Sequence, residues 1–220
     1  MTRSELARLL DHSVLKPEST ERDILAGAEL VRVWGIGFYC VQPSHVSTAA
    51  AALRGSDARV VSVVGFPHGC ERSVVKAQEA TLAVQDGAAE VDMVLNVGKL
   101  KSGRSQAVAS EIAQVVRAVP GIPVKVILEM CLLTEEEKVI ACRLVRDAGA
   151  AFVKTSTGFN PGGGATVADV RLMRATVGPE FGVKAAGGIR TLQDALSMLE
   201  AGANRIGTSA SATILGALPP

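Results

Sequence analysis

Asp147-Ala148-Gly149-Ala150-Ala151-Phe152-Val153-Lys154 decides how this chain folds. Glycine just past a helix adopts the left-handed conformation without a steric penalty, so Gly149 reads as a helix stop. The apolar residues after it read as a short strand buried on both faces, because the hydrophobicity is nearly continuous. The same stop recurs at Asp86-Gly87-Ala88 and Ala201-Gly202-Ala203, and Gly35 leads into a strand in the same way. Five residues beyond Gly149, Gly87, Gly202 and Gly35 stand Lys154, Asp92, Gly207 and Cys40. Side chains alternate faces along a strand, so equal offsets from equivalent stops place these four on one face. If the sheet closes, that face is its interior.

Outward from this unit, short Val- and Ile-rich runs alternate with helix-period segments along the chain. The runs are His12–Leu15, Phe38–Val41, Val60–Gly65, Val91–Leu95, Val124–Leu128, Phe152–Val153, Val183–Ala186 and Arg205–Ile206. Thr134, Thr166 and Thr191 each stand three residues before an acidic residue, a pattern that starts helices because the hydroxyl accepts a bond from an otherwise unpaired N–H. Eight strands alternating with helices form either a closed barrel or an open doubly wound sheet. The open sheet announces a dinucleotide by G-x-G-x-x-G after its first strand, and none stands there. Gly162–Gly164 follows a late strand and lacks the Walker lysine. The expectation is an α/β chain of the (β/α)8 TIM-barrel class with a short N-terminal helix, one domain over residues 1–220.

Bulk properties narrow the function classes. At 220 residues the chain is short for such a barrel, yet 48% of it is apolar, enough for a large core. A formal net charge of +1 without a basic cluster argues against nucleic acid or an anionic membrane as partner. No apolar run approaches the roughly 18 residues that span a bilayer. The stretch MTRSELARLLDHS carries acidic residues and no uninterrupted apolar core, which argues against a signal peptide. The cytosol is the expected setting. Cys40, Cys70, Cys131 and Cys142 form no C-x-x-C pair and read as reduced thiols. His12, His45 and His68 are widely spaced without a metal-ligand motif, so neither metal nor cofactor is expected.

Polar side chains inside apolar strands mark the chemistry, since barrel active sites form at the C-terminal strand ends. Lys154 sits behind two apolar residues, and Lys184 occupies the next strand in Val183-Lys184-Ala185-Ala186-Gly187-Gly188. Adjacent strands lie about 4.8 Å apart, so two inward lysines hold their amines within roughly 5–6 Å. Two such charges repel by about 3 kcal/mol at an effective dielectric of about 20. That repulsion lowers one lysine toward about 8, and a neutral amine is what imine formation with a carbonyl requires. The bland alternative is a lysine whose amine reaches solvent or a carboxylate. In Glu90-Val91-Asp92-Met93-Val94-Leu95-Asn96, Asp92 either pairs with the lysines or shuttles protons beside an imine. Lys125 and Glu129 share a face by alternation and read as an internal ion pair, with Lys125 also a possible pocket residue. Cys40 is expected to face the pocket, where it would react with unsaturated aldehydes. Gly187-Gly188 and Gly207-Thr208-Ser209 follow neighbouring strands where barrels bind phosphate, because glycine backbone N–H groups approach an anion closely.

At these residues the sequence closely resembles the deoxyribose-phosphate aldolase family. The resemblance runs in order from about residue 9 to residue 212, through Asp11–Pro17, Val64–Pro67, Glu90–Val94, Lys125–Glu129, Val153–Phe159, Val183–Arg190 and Gly207–Ser209. It implies a metal-independent class I aldolase that reversibly cleaves 2-deoxy-D-ribose 5-phosphate to acetaldehyde and D-glyceraldehyde 3-phosphate. It further implies Lys154 as the imine-forming residue, Lys184 as the residue that lowers its pKa, and Asp92 as proton donor and acceptor. Thr155, Gly158, Gly187, Gly188, Gly207 and Ser209 would bind substrate or phosphate, and Asp11 would orient the sugar hydroxyls. Met130, His68 and Ala210 depart from the family pattern. Some relatives carry a tail tyrosine that assists proton transfer, whereas the one tyrosine here is Tyr39. A homodimer is the expected assembly. Two rivals remain: another barrel enzyme for sugar phosphates, such as a transaldolase-like lyase or an isomerase, the latter needing no covalent lysine, and a barrel that binds a phosphosugar without turnover.

Overall fold

The computed structural model describes residues 1–219. Eight parallel strands close in chain order into a barrel, the last pairing back onto the first. They are β1 (Leu10–Val14), β2 (Phe38–Val41), β3 (Arg59–Val64), β4 (Glu90–Val94), β5 (Val124–Ile127), β6 (Phe152–Lys154), β7 (Gly182–Ala186) and β8 (Arg205–Thr208). Each coincides with an expected run, with end shifts of at most two residues. The helices are α1 (Arg3–Ala7), α2 (Glu21–Trp34), α3 (Val46–Ala52), α4 (Ser73–Gln85), α5 (Val97–Lys101), α6 (Ser105–Ala118), α7 (Glu135–Asp147), α8 (Val167–Val177), α9 (Leu192–Glu200) and α10 (Ser211–Gly216). Among the described residues no helix is long and apolar enough to cross a membrane.

Local chemistry sets the element ends. The hydroxyls of Thr134, Thr166 and Thr191 accept from the N–H three residues on at 3.2, 3.0 and 3.1 Å. Thr2 and Thr20 cap α1 and α2 in the same way, and each such cap contributes about 1 kcal/mol. Gly35, Gly87, Gly149 and Gly202 have φ of 62°, 111°, 83° and 111°, the conformations expected of helix stops.

Strand register stacks the inward side chains in layers from alternate strands, the usual barrel arrangement. Asp11 of β1, Val61 of β3, Lys125 of β5 and Lys184 of β7 form the middle layer. Each is paired across the register with one residue above and one below. The layer above is Cys40, Asp92, Lys154 and Gly207, the four positions related by equal offsets from their glycines. The layer below, two residues earlier on the same strands, is Phe38, Glu90, Phe152 and Arg205. Seven of these twelve positions carry charge, where barrels ordinarily hold branched apolar residues. The alternate strand positions point outward into the main apolar core beneath the helices, with Tyr39, Val91, Met93, Val126, Val153 and Val183 fully buried.

Candidate active site

Asp92 is the hub of the interior. It is fully buried; its Oδ1 accepts from Lys125 at 2.7 Å and its Oδ2 from both Lys154 and Lys184 at 2.8 Å. The amines of Lys154 and Lys184 are therefore no farther apart than twice 2.8 Å, and a carboxylate lies between them. Burial raises the Asp92 carboxyl, but the charges of Lys125, Lys154 and Lys184 outweigh it and hold Asp92 well below the usual carboxylate range. Lys184 also donates to Asp11 Oδ2. Burial alone would lower Lys184, yet Asp11 and Asp92 raise it above an ordinary lysine.

The bare lysine–lysine repulsion expected from the sequence is thus largely met by carboxylates, unequally. Lys184 has two carboxylate partners, Asp11 and Asp92, and Lys125 has two, Glu90 at 2.6 Å and Asp92. Lys154 has one. Lys154 is also the member of this cluster that lines the cavity at the C-terminal end of the barrel, a space of about 700 Å³. Its side chain is 4% exposed, enough to meet a small carbonyl compound while Asp92 stays beneath it.

Gly158, Gly187, Gly188, Gly207 and Ser209 all line the same cavity. Their reasons for being glycine differ. A Cβ on Gly207 would lie 2.9 Å from Ala186 Cβ and 3.2 Å from Lys184 Cε, so Gly207 makes room for the Lys184 stem. Gly187 (φ 88°) packs against Gly158 and Gly164 where the loops after β6 and β7 cross, and its carbonyl accepts from Ala165 N at 3.0 Å. Gly188 (φ 78°) faces open space. Lys16 and Arg190, which sequence reasoning passed over as site residues, are exposed on the same wall and supply cations for an anionic substrate group. Their positions just past β1 and β7 were the available signal.

Several expectations need correction. Asp11, expected to orient sugar hydroxyls, is fully buried and off the cavity wall, with its oxygens engaged by Lys184 and by Arg205 Nη1 at 3.0 Å. Thr155 is a clasp between strands, donating to Ala186 O at 2.9 Å and accepting from Ala186 N at 3.0 Å. Lys125 pairs with Glu90 and Asp92 and does not line the cavity. Its expected partner Glu129 lies past the end of β5 with φ 54°, where strand alternation no longer holds, and accepts from Thr157 N at 3.2 Å. Cys40 is inside the barrel but fully buried, off the cavity wall, and burial pushes its thiol up to about 11, which disfavours the reactive thiolate. Tyr39 points outward, its hydroxyl donating to Ile24 O at 2.8 Å. Glu90 and Arg205 were missed as site residues, although each stands two residues before an expected inward position.

Comparison with known proteins places the fold and the family. A family model described as DeoC/LacD family aldolase matches residues 9–216. A protein of Streptococcus sanguinis (strain SK36) described as deoxyribose-phosphate aldolase is 54% identical over 211 residues, covering 96% of each chain. A solved structure described as a putative deoxyribose-phosphate aldolase from Coccidioides immitis matches with a TM-score of 0.95 at 39% identity, over 98% of this chain and 86% of that one. Another, described as a unique tetrameric structure of deoxyribose phosphate aldolase from Aeropyrum pernix, matches with a TM-score of 0.90 at 31% identity, over 98% and 91%.

Proposed function

The chain belongs to the DeoC/LacD family of aldolases, and on that footing we propose that it is a deoxyribose-phosphate aldolase working through an imine on Lys154. The observation that carries the reading is one lysine, with one carboxylate partner, at the floor of a polar cavity and beside a second lysine. A nucleophilic amine must first give up its proton. Lys154 is the amine held by one ion pair, where Lys184 and Lys125 are each held by two.

The neutral Lys154 amine attacks the aldehyde carbon of open-chain 2-deoxy-D-ribose 5-phosphate, and loss of water from the carbinolamine leaves an iminium ion. The bond between C2 and C3 of the sugar then breaks. Its electron pair passes into an enamine as the C3 hydroxyl loses its proton, and D-glyceraldehyde 3-phosphate departs. Protonation of the enamine at its terminal carbon and addition of the water released earlier free acetaldehyde and Lys154. Asp92 is ionised at rest and acts first as proton acceptor; a proton taken from Lys154 or the sugar is then at hand for return. Lys184 keeps its charge throughout and stabilises negative charge on oxygen as it develops. Gly158, Gly188 and Ser209, with Arg190 and Lys16, form the wall that receives the phosphate.

A cytosolic setting fits the four free cysteines. Self-association, a homodimer at its simplest, fits the exposed Val74, Val75 and Leu82 of α4, and light scattering reads it directly. Activity is tested by coupling glyceraldehyde 3-phosphate release to a dehydrogenase, with unphosphorylated 2-deoxyribose as comparison. Cleavage of the phosphate ester that is lost in Lys154→Ala supports the reading. Interconversion of a phosphosugar that survives Lys154→Ala would replace it with an isomerase.

A further inference from the structure

The imine mechanism uses Lys154, Lys184 and Asp92, and leaves four other charged side chains in the barrel interior without a task. Six of the seven form a closed circuit. Lys184 donates to Asp11 and Asp92, Lys125 bridges Asp92 to Glu90, both Nη atoms of Arg205 meet Glu90 at 3.2 and 3.3 Å, and Arg205 Nη1 returns to Asp11 at 3.0 Å. Three members are cations and three are anions, so the circuit is neutral. Lys154 hangs from it by its single contact with Asp92 and adds one unmatched positive charge whenever it is protonated. None of these side chains is more than 10% exposed, and an unmatched charge at such a depth is costly.

Resting on the imine reading of Lys154, we infer that Glu90 and Arg205 are positioning residues that balance this circuit and so direct loss of the surplus proton to Lys154. Arg205 is suited to the part because it is held on several sides. Its guanidinium stacks 3.3 Å from the centroid of Phe38, meets two carboxylates, and cannot be deprotonated in place of Lys154. Glu90 in turn engages Lys125, so that Lys125 as well as Lys184 keeps two carboxylate partners. Burial works against these charges, yet their opposite neighbours hold Asp11 and Asp92 below the usual carboxylate range and Lys184 and Arg205 above their ordinary values.

Glu129, buried just past β5, is engaged by Thr157 N and Oγ1 and stands outside the circuit. Asp11 faces Lys154 from β1, Asp92 and Glu90 from β4, Lys125 from β5, Lys184 from β7 and Arg205 from β8. β2 contributes the thiol of Cys40, and β3 contributes Val61 and Val63. Lys16, Glu18, Asp23 and Arg190 stand exposed at the cavity mouth, and water screens them. His12 also lines the cavity; burial lowers it to about 4, so it is neutral across the working range.

The test is the pH dependence of borohydride trapping of acetaldehyde on Lys154, read by peptide mapping in single and double variants. Arg205→Gln removes a cation and leaves the interior balanced with Lys154 protonated, so the acid limb of trapping moves up by about one pH unit. Glu90→Gln removes an anion and moves the limb down. Arg205→Lys and the double variant carrying both Gln substitutions restore the original surplus and return the limb to its starting position. Opposite shifts with restoration support the inference; if Arg205→Gln does not fold, Glu90→Gln and the double variant carry the comparison. Limbs that coincide in all variants, or that shift the same way in both single variants, overturn it while trapping on Lys154 persists. Absence of trapping on Lys154 in the unaltered protein overturns the imine reading instead.

Discussion

Lys154 and Lys184 share one acceptor: both amines lie 2.8 Å from Oδ2 of Asp92, and their Cα positions face each other across β6 and β7. A carboxylate between two lysines attracts both and screens each from the other. What separates the two is the second partner, Asp11, which Lys184 has and Lys154 lacks. Lys184 is thereby held as a cation, which supports the proposal of Lys154, at the cavity floor, as the nucleophile.

Asp92→Asn removes the negative charge, and one of the two acceptor oxygens, that three lysines share while keeping the side-chain shape. Turnover is expected to fall by about 10²–10⁴-fold, the usual range for a lost proton relay. The buried cations left short of a partner destabilise the fold as well, by about 3–5 kcal/mol. Steady-state kinetics and urea unfolding on the same preparation separate the two effects. Full activity in a folded Asp92→Asn protein would remove Asp92 from the mechanism.

Gly207→Ala places a methyl group 3.2 Å from Lys184 Cε and 2.9 Å from Ala186 Cβ. The Lys184 stem has to move, and a misplacement of this kind lowers kcat by about 10²-fold. If Gly207 serves only phosphate binding, the substitution raises KM and spares kcat, so the split between the two constants decides.

Thr155→Val removes the hydroxyl that both donates to and accepts from the Ala186 backbone, tying β6 to β7. A loss of about 1–2 kcal/mol in unfolding free energy is expected, with KM unchanged. A raised KM at full stability would return Thr155 to the substrate wall.

His12 sets a pH dependence of stability. Burial lowers its imidazole from 6.5 to about 4, where Nδ1 lies 3.1 Å from Ser211 Oγ. The folded value is the depressed one, so between those limits the unfolded chain binds more protons. The contribution is complete above the unfolded value and is lost as pH falls toward the folded one, amounting to about 2 kcal/mol between about pH 8 and pH 5. Urea midpoints of the unaltered protein should fall over that interval, and those of His12→Asn should fall less. Identical falls would place the effect elsewhere.

Thiol labelling should follow burial. Cys70 is exposed and is expected to react first, whereas Cys40 is fully buried and should react only on unfolding. Modification of Cys40 by crotonaldehyde in the folded protein would show that the interior opens.

The barrel was legible because its signals are local. Left-handed glycines mark Gly35, Gly87, Gly149 and Gly202, and equal offsets from them recovered a complete interior layer. Pairings across the barrel were not legible, since alternation along one strand says which face a residue takes but not which strand supplies its partner. Lys125 and Glu129 share a parity in sequence, yet the chain turns left-handed at Glu129, and Glu90 takes the place expected of it. Glu90 and Arg205 had the right parity throughout. They were overlooked because a charge low in a barrel strand reads as an ordinary strand end until the closed register shows where it points.

The most direct test of the account is reduction with borohydride in the presence of acetaldehyde, followed by peptide mapping. An ethyl group on Lys154, with none on Lys184 or Lys125 and with deoxyribose-phosphate cleavage abolished in Lys154→Ala, is the expected result. Adducts confined to exposed lysines such as Lys16, with cleavage intact in Lys154→Ala, would contradict it and reduce the interior lysines to structural charges.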